Sequence, residues 1–437
     1  MSELLASPLF WAGVKIAVAI GLVLQIVPVM VWVERKVCAY AQDRVGPNRA
    51  ALFGTFRLGG MVHSLTDAIK MLFKEDVRPA SANGFFFVIA PFLVLTPALM
   101  ALAVIPWADD LSIAPGGALP AGAFPLQIAR LDVGLLFVFA ISGLSVIGIM
   151  LAGWSSNNKF SLLGGLRSAA QLVSYEIALT LSAVSMMVLY GTVRPEEIVL
   201  HQGGAIWHWG IFYQPLAFVI FLIAIFAESN RLPFDLPEGE SELVAGYHTE
   251  YSGFKFGLFM MAEYSHMIVA SAIISTVFLG GWQIPWASTI SLQNAAPLVA
   301  RVLVGAHGAI FLLVAAALAN RYLNGPRRWK NRGDLEPGIF AVVLGLAGLG
   351  ALAFALLWHP ALDGRSMLAQ GIAATAQFMF FMAKIGFFLF LFVWVRWTLP
   401  RFRFDQVMRL GWKMLMPLAL LNIVATGLGV LWFGSRT

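Results

Sequence analysis

Cysteine is nearly absent from this chain: Cys38 is its sole representative among 437 residues. One thiol excludes an internal disulfide and any cysteine-ligated zinc or iron–sulfur site. Charge is scarce as well, at 12% of residues, against 59% hydrophobic. No soluble class fits that balance. There is no glycine-rich GxxxxGK element and no GxGxxG between a strand and a helix, so the chain is not expected to handle ATP or NADH. No metal and no flavin are expected in it. Of the 7 histidines, His266 and His307 fall at membrane depth, which leaves a bis-histidine haem as a cofactor alternative.

What is present is hydrocarbon in spanning lengths. Apolar runs at 9–33, 84–106, 133–154, 169–190, 211–227, 257–282, 302–320, 338–358, 374–395 and 414–434 predict an all-α polytopic membrane protein of ten transmembrane helices. The first run is too long for a signal-peptide core, and no small-residue cleavage site follows it. Ten helices put both termini on one side, and 22 of the 29 lysines and arginines fall in the odd-numbered connections on the other. By the positive-inside rule those connections are cytoplasmic and both termini periplasmic. Orientation already accounts for the basic loops, so nucleic acid is not implied.

The chemistry concentrates at 228–256. That loop carries Glu228, Asp235, Glu238, Glu240, Glu242 and Glu250 against the arginine Arg231. Pro233 and Pro237 forbid a continuous helix through its first half. An irregular loop is expected, at a membrane surface or lining a wet cavity, because backbone without internal hydrogen bonds is not tolerated against lipid. Glu238, Glu240 and Glu242 alternate, which on an extended strand would place them on one face. Upstream, apolar positions Met61, Leu65, Ala68, Ile69 and Leu72 recur at helical spacing, with His63, Asp67, Lys70 and Lys74 off that face. This predicts an interfacial amphipathic helix at about 50–75.

Within the spans, Glu176, Glu263 and Lys384 are the ionisable residues that stand out, with Glu34, Asp132 and Glu228 bordering helix ends. A charge at that depth costs about 2.5–3.5 kcal/mol on insertion scales, so such groups face a partner or a water path. Dispersed carboxylates suit a proton route rather than a metal cage, which would gather its acids in one short loop. A buried ion pair that only fixes helix packing is the structural alternative. For Glu34, Asp132 and Glu228 the plainer reading is snorkelling to the interface.

Several collinear blocks then carry a resemblance: AESNRLPFDLPEGE, EGESELVAGYHTEYSGFKFGLF with MAEY, VERKVCAYAQDRVGPNR, DAIKMLFKED, ILAGWSSNNKFSLLGGLRSAAQLVSYE and WVRWTLPRFRFDQVMRLGWK. Together they resemble the H-type membrane subunit of respiratory complex I, the proton-pumping NADH:quinone oxidoreductase, over most of the chain outside about 284–373. The resemblance implies an enzyme subunit in the bacterial inner membrane, without a redox centre of its own. It would form the quinone-access chamber and link quinone reduction to proton translocation. Quinone would be the substrate, an iron–sulfur cluster would come from a neighbouring subunit, and the partners would be other membrane-arm and peripheral-arm subunits, with lipid around them. By residue, the coupling acids would be Glu176, Glu228, Asp235, Glu238, Glu240, Glu242, Glu250 and Glu263, with Lys384 on the penultimate helix. Arg35, Arg49, His63, Asp67 and Arg231 would line the quinone chamber, and Arg396 and Arg401 match the basic block after the penultimate helix. His63 stands where the family usually has glutamine, and 50–60 is longer than usual.

The family core has eight spanning helices, so 284–373 reads as an inserted helical pair between a core at 1–283 and the last two core helices at 374–437. It is expected to be a peripheral hairpin that binds lipid or an extra partner rather than taking part in coupling. The alternatives are the equivalent subunit of a membrane-bound hydrogenase or of another quinone- or methanophenazine-reducing relative, a free-standing cation/proton antiporter, and a passive anchor for a soluble oxidoreductase.

Overall fold

A computed structural model describes residues 7–52, 56–113, 122–237, 239–324, 335–358 and 363–434. Its elements are almost entirely helical. The main helices are Pro8–Ala41 (α1), Val62–Phe73 (α2), Gly84–Ala101 (α3), Gly134–Ser155 (α4), Lys159–Tyr190 (α5), Pro195–His201 (α6), Pro215–Glu228 (α7), Gly253–Phe278 (α8), Ala296–Asn324 (α9), Glu336–Leu357 (α10), Met367–Thr398 (α11), Phe404–Arg409 (α12) and Met416–Gly434 (α13). A π-helical turn, Leu410–Leu415, joins the last two. One small antiparallel hairpin, Leu111–Ile113 with Gly122–Phe124, lies between α3 and α4.

Among the described residues, nine helices are long and apolar enough to cross a membrane, and α7 is a shorter apolar one. The ninefold count differs from the expected ten at the run 211–227. Pro215 pushes the residue before it out of the helical region, and Gln214 sits at φ −133°, ψ 59°. The run therefore breaks into Gly210–Tyr213 and the 14 residues of α7. At 1.5 Å per residue α7 rises only about 21 Å, short of the ~30 Å hydrocarbon core. The amphipathic helix is also shorter than expected: α2 covers Val62–Phe73 after a 3₁₀ turn at Leu58–Gly60.

The core lies between α4, α5, α7, α8 and α11. Phe221, Phe278, Phe381, Phe388 and Phe392 are almost completely buried there with Tyr175 and Met186. With lipid as apolar as leucine, close packing rather than hydrophobic exclusion must hold such helices together, and small residues supply it. Gly148 of α4 faces the α3 backbone at Leu93 and Val94, and Gly153 faces Ser161 of α5. The pair α9 and α10 pack on each other through Gly308 and Gly348, whose neighbours across the contact are each other's backbone oxygens. Little of their apolar surface is otherwise covered.

A buried charge cluster backed by water-sized cavities

Five elements converge on one group of ionisable side chains. Glu34 comes from the last turns of α1, Arg231 from the segment after α7, Glu263 and Tyr264 from α8, Arg396 from the end of α11, and Tyr247 from the 3₁₀ turn Gly246–His248. Arg231 places Nη1 3.7 Å from Glu34 Oε2 and Nη2 3.2 Å from Glu263 Oε2. Its guanidinium stacks 4.3 Å from the centre of the Tyr264 ring. The Tyr264 hydroxyl donates to Glu34 Oε2 at 2.7 Å, that of Tyr247 to Glu263 Oε1 at 3.3 Å, and Arg396 pairs with Glu34 Oε1. Glu34, Arg231 and Glu263 are only 6–7% exposed. Two carboxylates and two guanidinium groups balance, which is what burial of charge demands.

The local sequence explains how Arg231 reaches inward. Asn230 adopts φ 51°, a left-handed turn that asparagine tolerates, and reverses the chain past the end of α7. Gln171 of α5 holds the turn, donating to Ala227 O at 2.7 Å and to Asn230 Oδ1 at 3.2 Å. Beyond it, Phe402 N donates to Pro233 O and Arg401 pairs with Asp235 at 2.9 Å, so the acidic loop is fastened to the chain after α11. The second half of the loop seats on α5. A Cβ at Gly164 would lie 2.7 Å from Gly246 Cα and 2.7 Å from Tyr247 N. Gly164→Ala should therefore push Tyr247 off Glu263 and lower stability by about 1–3 kcal/mol. Thermal inactivation of the purified assembly checks this, and an unshifted midpoint would mean that the loop does not rest there.

Two small cavities extend the cluster into the bundle. One of about 10 Å³ is lined by Ser145, Glu228, Ser229, Asn230, Tyr247, Glu263 and His266. Another, of about 30 Å³, shares Glu228, Ser229 and His266 with it and reaches Ser142. Ser142, whose hydroxyl donates to Phe139 O at 2.9 Å, lines the larger cavity beside Glu228, and Glu176 Oε1 lies against Gly143, the next residue of α4. Spaces of that size with several polar partners hold single waters. Glu34, Arg231 and Glu263 are thus joined by contacts, Glu263 and Glu228 share a cavity, and Glu176 lies beyond, against Gly143, one residue along α4 from the cavity-lining Ser142.

The remaining expected site residues fall elsewhere. Glu242 is exposed and pairs with Arg167 at 2.6 Å, and Glu250 accepts from Asn158 at 2.5 Å. Glu238 lies outside the described residues, as does the side chain of Glu240. Glu240–Leu243 is a helical turn, not a strand, because Gly239 at φ 40° turns its carbonyl toward the Glu242 and Leu243 amides. The alternation of these glutamates therefore does not gather them on one strand face. Nearby, burial pushes the pKa of the Tyr251 hydroxyl up to about 12.

Among the residues expected to line a quinone chamber, Arg35 pairs with Asp67 at 2.6 Å, tying α1 to α2. His63 Nε2 accepts from the Arg49 and Ala50 amides at 2.9 and 3.0 Å, and the Arg49 side chain is exposed. Lys384 is not brought to the acids. Its ammonium binds the carbonyls of Leu279, Gly281 and Gln283 at 2.7, 2.7 and 3.1 Å, closing the far end of α8. From Glu263 to that end, α8 rises roughly 20 Å. His307 sits on α9 with its ring against Leu303 O, whereas His266 lines the cavities. Around Arg194, at the same far end, the Thr192 hydroxyl and then the guanidinium itself hold the Glu197 carboxyl below the usual range. Glu34, Tyr247 and Tyr264 are the members that sequence reasoning undervalued. The signal available for them was a glutamate at a helix end and the Glu263–Tyr264 adjacency.

The spans and the buried, charge-balanced cluster at one end of the bundle define an all-α polytopic membrane protein with ionised groups in its interior. The comparison with known sequences narrows it. The family model described as NADH dehydrogenase matches residues 14–427, and the chain belongs to that family. A relative from Solibacter usitatus, the first of its H-type NADH-quinone oxidoreductase subunits, is 40% identical and covers 98% of this chain and 99% of its own length. The H-type NADH-quinone oxidoreductase subunit of Salinibacter ruber is 37% identical, with 97% of each chain covered. Rhodothermus marinus contributes NADH-quinone oxidoreductase subunit 8, 37% identical over 98% of this chain and 99% of the relative. Alignments of that extent run through the segment 284–373.

Proposed function

We infer that the chain is the H-type membrane subunit of a proton-pumping NADH:quinone oxidoreductase in a bacterial inner membrane, with its basic loops cytoplasmic. It would form the chamber in which quinone meets the redox arm. Electrons would arrive from an iron–sulfur cluster of a neighbouring subunit, and this chain would supply the chamber wall and the proton-handling groups. The observation that carries the reading is the contiguity of the buried Glu34–Arg231–Glu263 cluster with the cavities lined by Glu228, beyond which Glu176 lies against Gly143.

Quinone accepts two electrons and two protons to become quinol, so reduction near the cluster draws protons from groups around it. In the resting arrangement the arginines Arg231 and Arg396 balance the charge of Glu34 and Glu263. A change of charge at the headgroup perturbs that balance, and the perturbation passes to Glu228 through the cavity it shares with Glu263, and from Glu228 to Glu176. On the lipid side, α2 exposes Leu65, Ile69, Leu72 and Phe73, an apolar stripe on which an isoprenoid tail can slide. A free-standing antiporter is disfavoured by Lys384, whose ammonium is held by carbonyls far from the carboxylates.

A photoreactive long-tail quinone added to the intact complex tests the chamber. Labelling of this chain at α2 and the adjoining end of α1, suppressed by excess unlabelled quinone, is expected. Labelling confined to other subunits would remove the chamber from this chain.

A further inference from the structure

The inserted pair α9–α10 touches the chain at one place that packing alone does not require. Glu336, the first residue of α10, is 9% exposed, and both of its carboxylate oxygens are used. Oε2 accepts from the Arg57 amide at 2.9 Å and Oε1 from the Gly59 amide at 3.2 Å, across almost 280 residues of sequence. The segment it grips is the turn immediately before α2. There Leu58, Gly59 and Gly60 all have positive φ, at 47°, 62° and 96°. Three consecutive left-handed residues do not persist without external support, and only the glycines adopt them at no steric cost. Gly60 also packs so closely that a Cβ would lie 1.9 Å from Pro47 O. From α1, Trp32 Nε1 donates to Gly59 O at 3.2 Å. The turn is thus clamped between α1 and α10, and it leaves Leu58 and Met61 exposed just ahead of the exposed apolar residues of α2.

We propose that Glu336 is a positioning residue for quinone access: the inserted hairpin uses it to hold the turn Arg57–Met61 as one rim of the opening that admits the isoprenoid tail. This rests on the chamber reading above, and it gives 284–373 a part in substrate access that a peripheral lipid-binding hairpin would not have. A charged acceptor shared by two backbone amides fixes the turn far more firmly than water could. Without it the turn relaxes from its left-handed geometry, and the exposed Leu58 and Met61 leave their place ahead of α2. The tail loses part of its guide while the headgroup site is untouched. The effect falls on long-tailed quinones and on KM.

The test is Glu336→Ala in the intact complex, assayed with a long-tail quinone and with a short-tail analogue. KM for the long-tail substrate is expected to rise about threefold or more with kcat nearly unchanged, and the short-tail KM to stay put, because uniform binding of the tail is what is removed. A second readout does not depend on quinone. In a Cys38→Ser background, Leu58→Cys should react faster with a maleimide when Glu336 is alanine. Unchanged labelling overturns the clamp. Faster labelling with no difference between the two quinones overturns the access role while leaving the chamber reading to its own photolabelling test. Glu336→Asp, which keeps the carboxylate one methylene short, serves where the alanine variant does not accumulate. Loss of assembly in both variants would make Glu336 a folding contact only and also overturn the proposal.

Discussion

Replacing Arg231 by alanine should abolish quinone reduction by the assembly and should do so by two separable routes. The guanidinium is shared between Glu34 and Glu263 and stacks on Tyr264, with all three charged groups nearly inaccessible. Removing one partner of a buried ion pair leaves uncompensated charge and costs about 3–5 kcal/mol. That is a large fraction of the ~5–15 kcal/mol that holds a typical folded protein together. Part of the chain should then fail to accumulate in the complex. The functional route is separated from the structural one by Arg231→Met combined with Glu263→Met, which removes both members and fills the same space with hydrocarbon. Such replacements are often neutral for folding. The double variant is therefore expected to assemble, to keep electron transfer from NADH to a soluble artificial acceptor, and to lose quinone reduction. Arg231→Lys should fall between, because one ammonium cannot bridge both carboxylates or stack as a planar guanidinium does. Normal quinone reductase activity in the assembled double variant would reduce the cluster to a packing device.

The sequence carried the spans because each is a long run of apolar residues, a signal that survives without tertiary information. Its errors fall where one residue decides a boundary: Pro215 breaks the run 211–227, and the left-handed turn at Leu58–Gly60 delays the start of α2. The acidic loop was legible as irregular from Pro233 and Pro237, yet its internal division was not. Which acids are buried depends on what packs against them. Gln171 and Arg401 draw the first half inward, while Glu242 meets only the partly exposed Arg167. Glu34 was underestimated for a related reason. At a helix end with Arg35 and Lys36 after it, a glutamate reads as surface, and its true partners Arg231, Tyr264 and Arg396 lie some 200 residues or more away. Lys384 shows the converse. Lying within a spanning helix is only one coordinate, and a lysine there can still serve the opposite end of the bundle from the acids.

The second large effect is expected at Glu228. It ends α7, lines both cavities, and stands between the charged cluster and Glu176. Glutamine has nearly the same shape as glutamate, so Glu228→Gln should assemble normally. What glutamine cannot do is take up and release a proton. If protons or a charge displacement pass from the cluster to Glu176 by way of this position, the variant should lose most proton pumping, and on the coupled function proposed above quinone reduction should slow with it. The measurement is proton uptake per NADH oxidised in sealed vesicles, alongside the NADH:quinone rate. Glu176→Gln should reproduce the loss, and the two variants combined should be scarcely worse than either alone, because residues acting in series as a unit are not additive. A full proton yield in Glu228→Gln would break the series at its middle member. Additive losses in the double variant would instead mean that Glu228 and Glu176 serve separate routes.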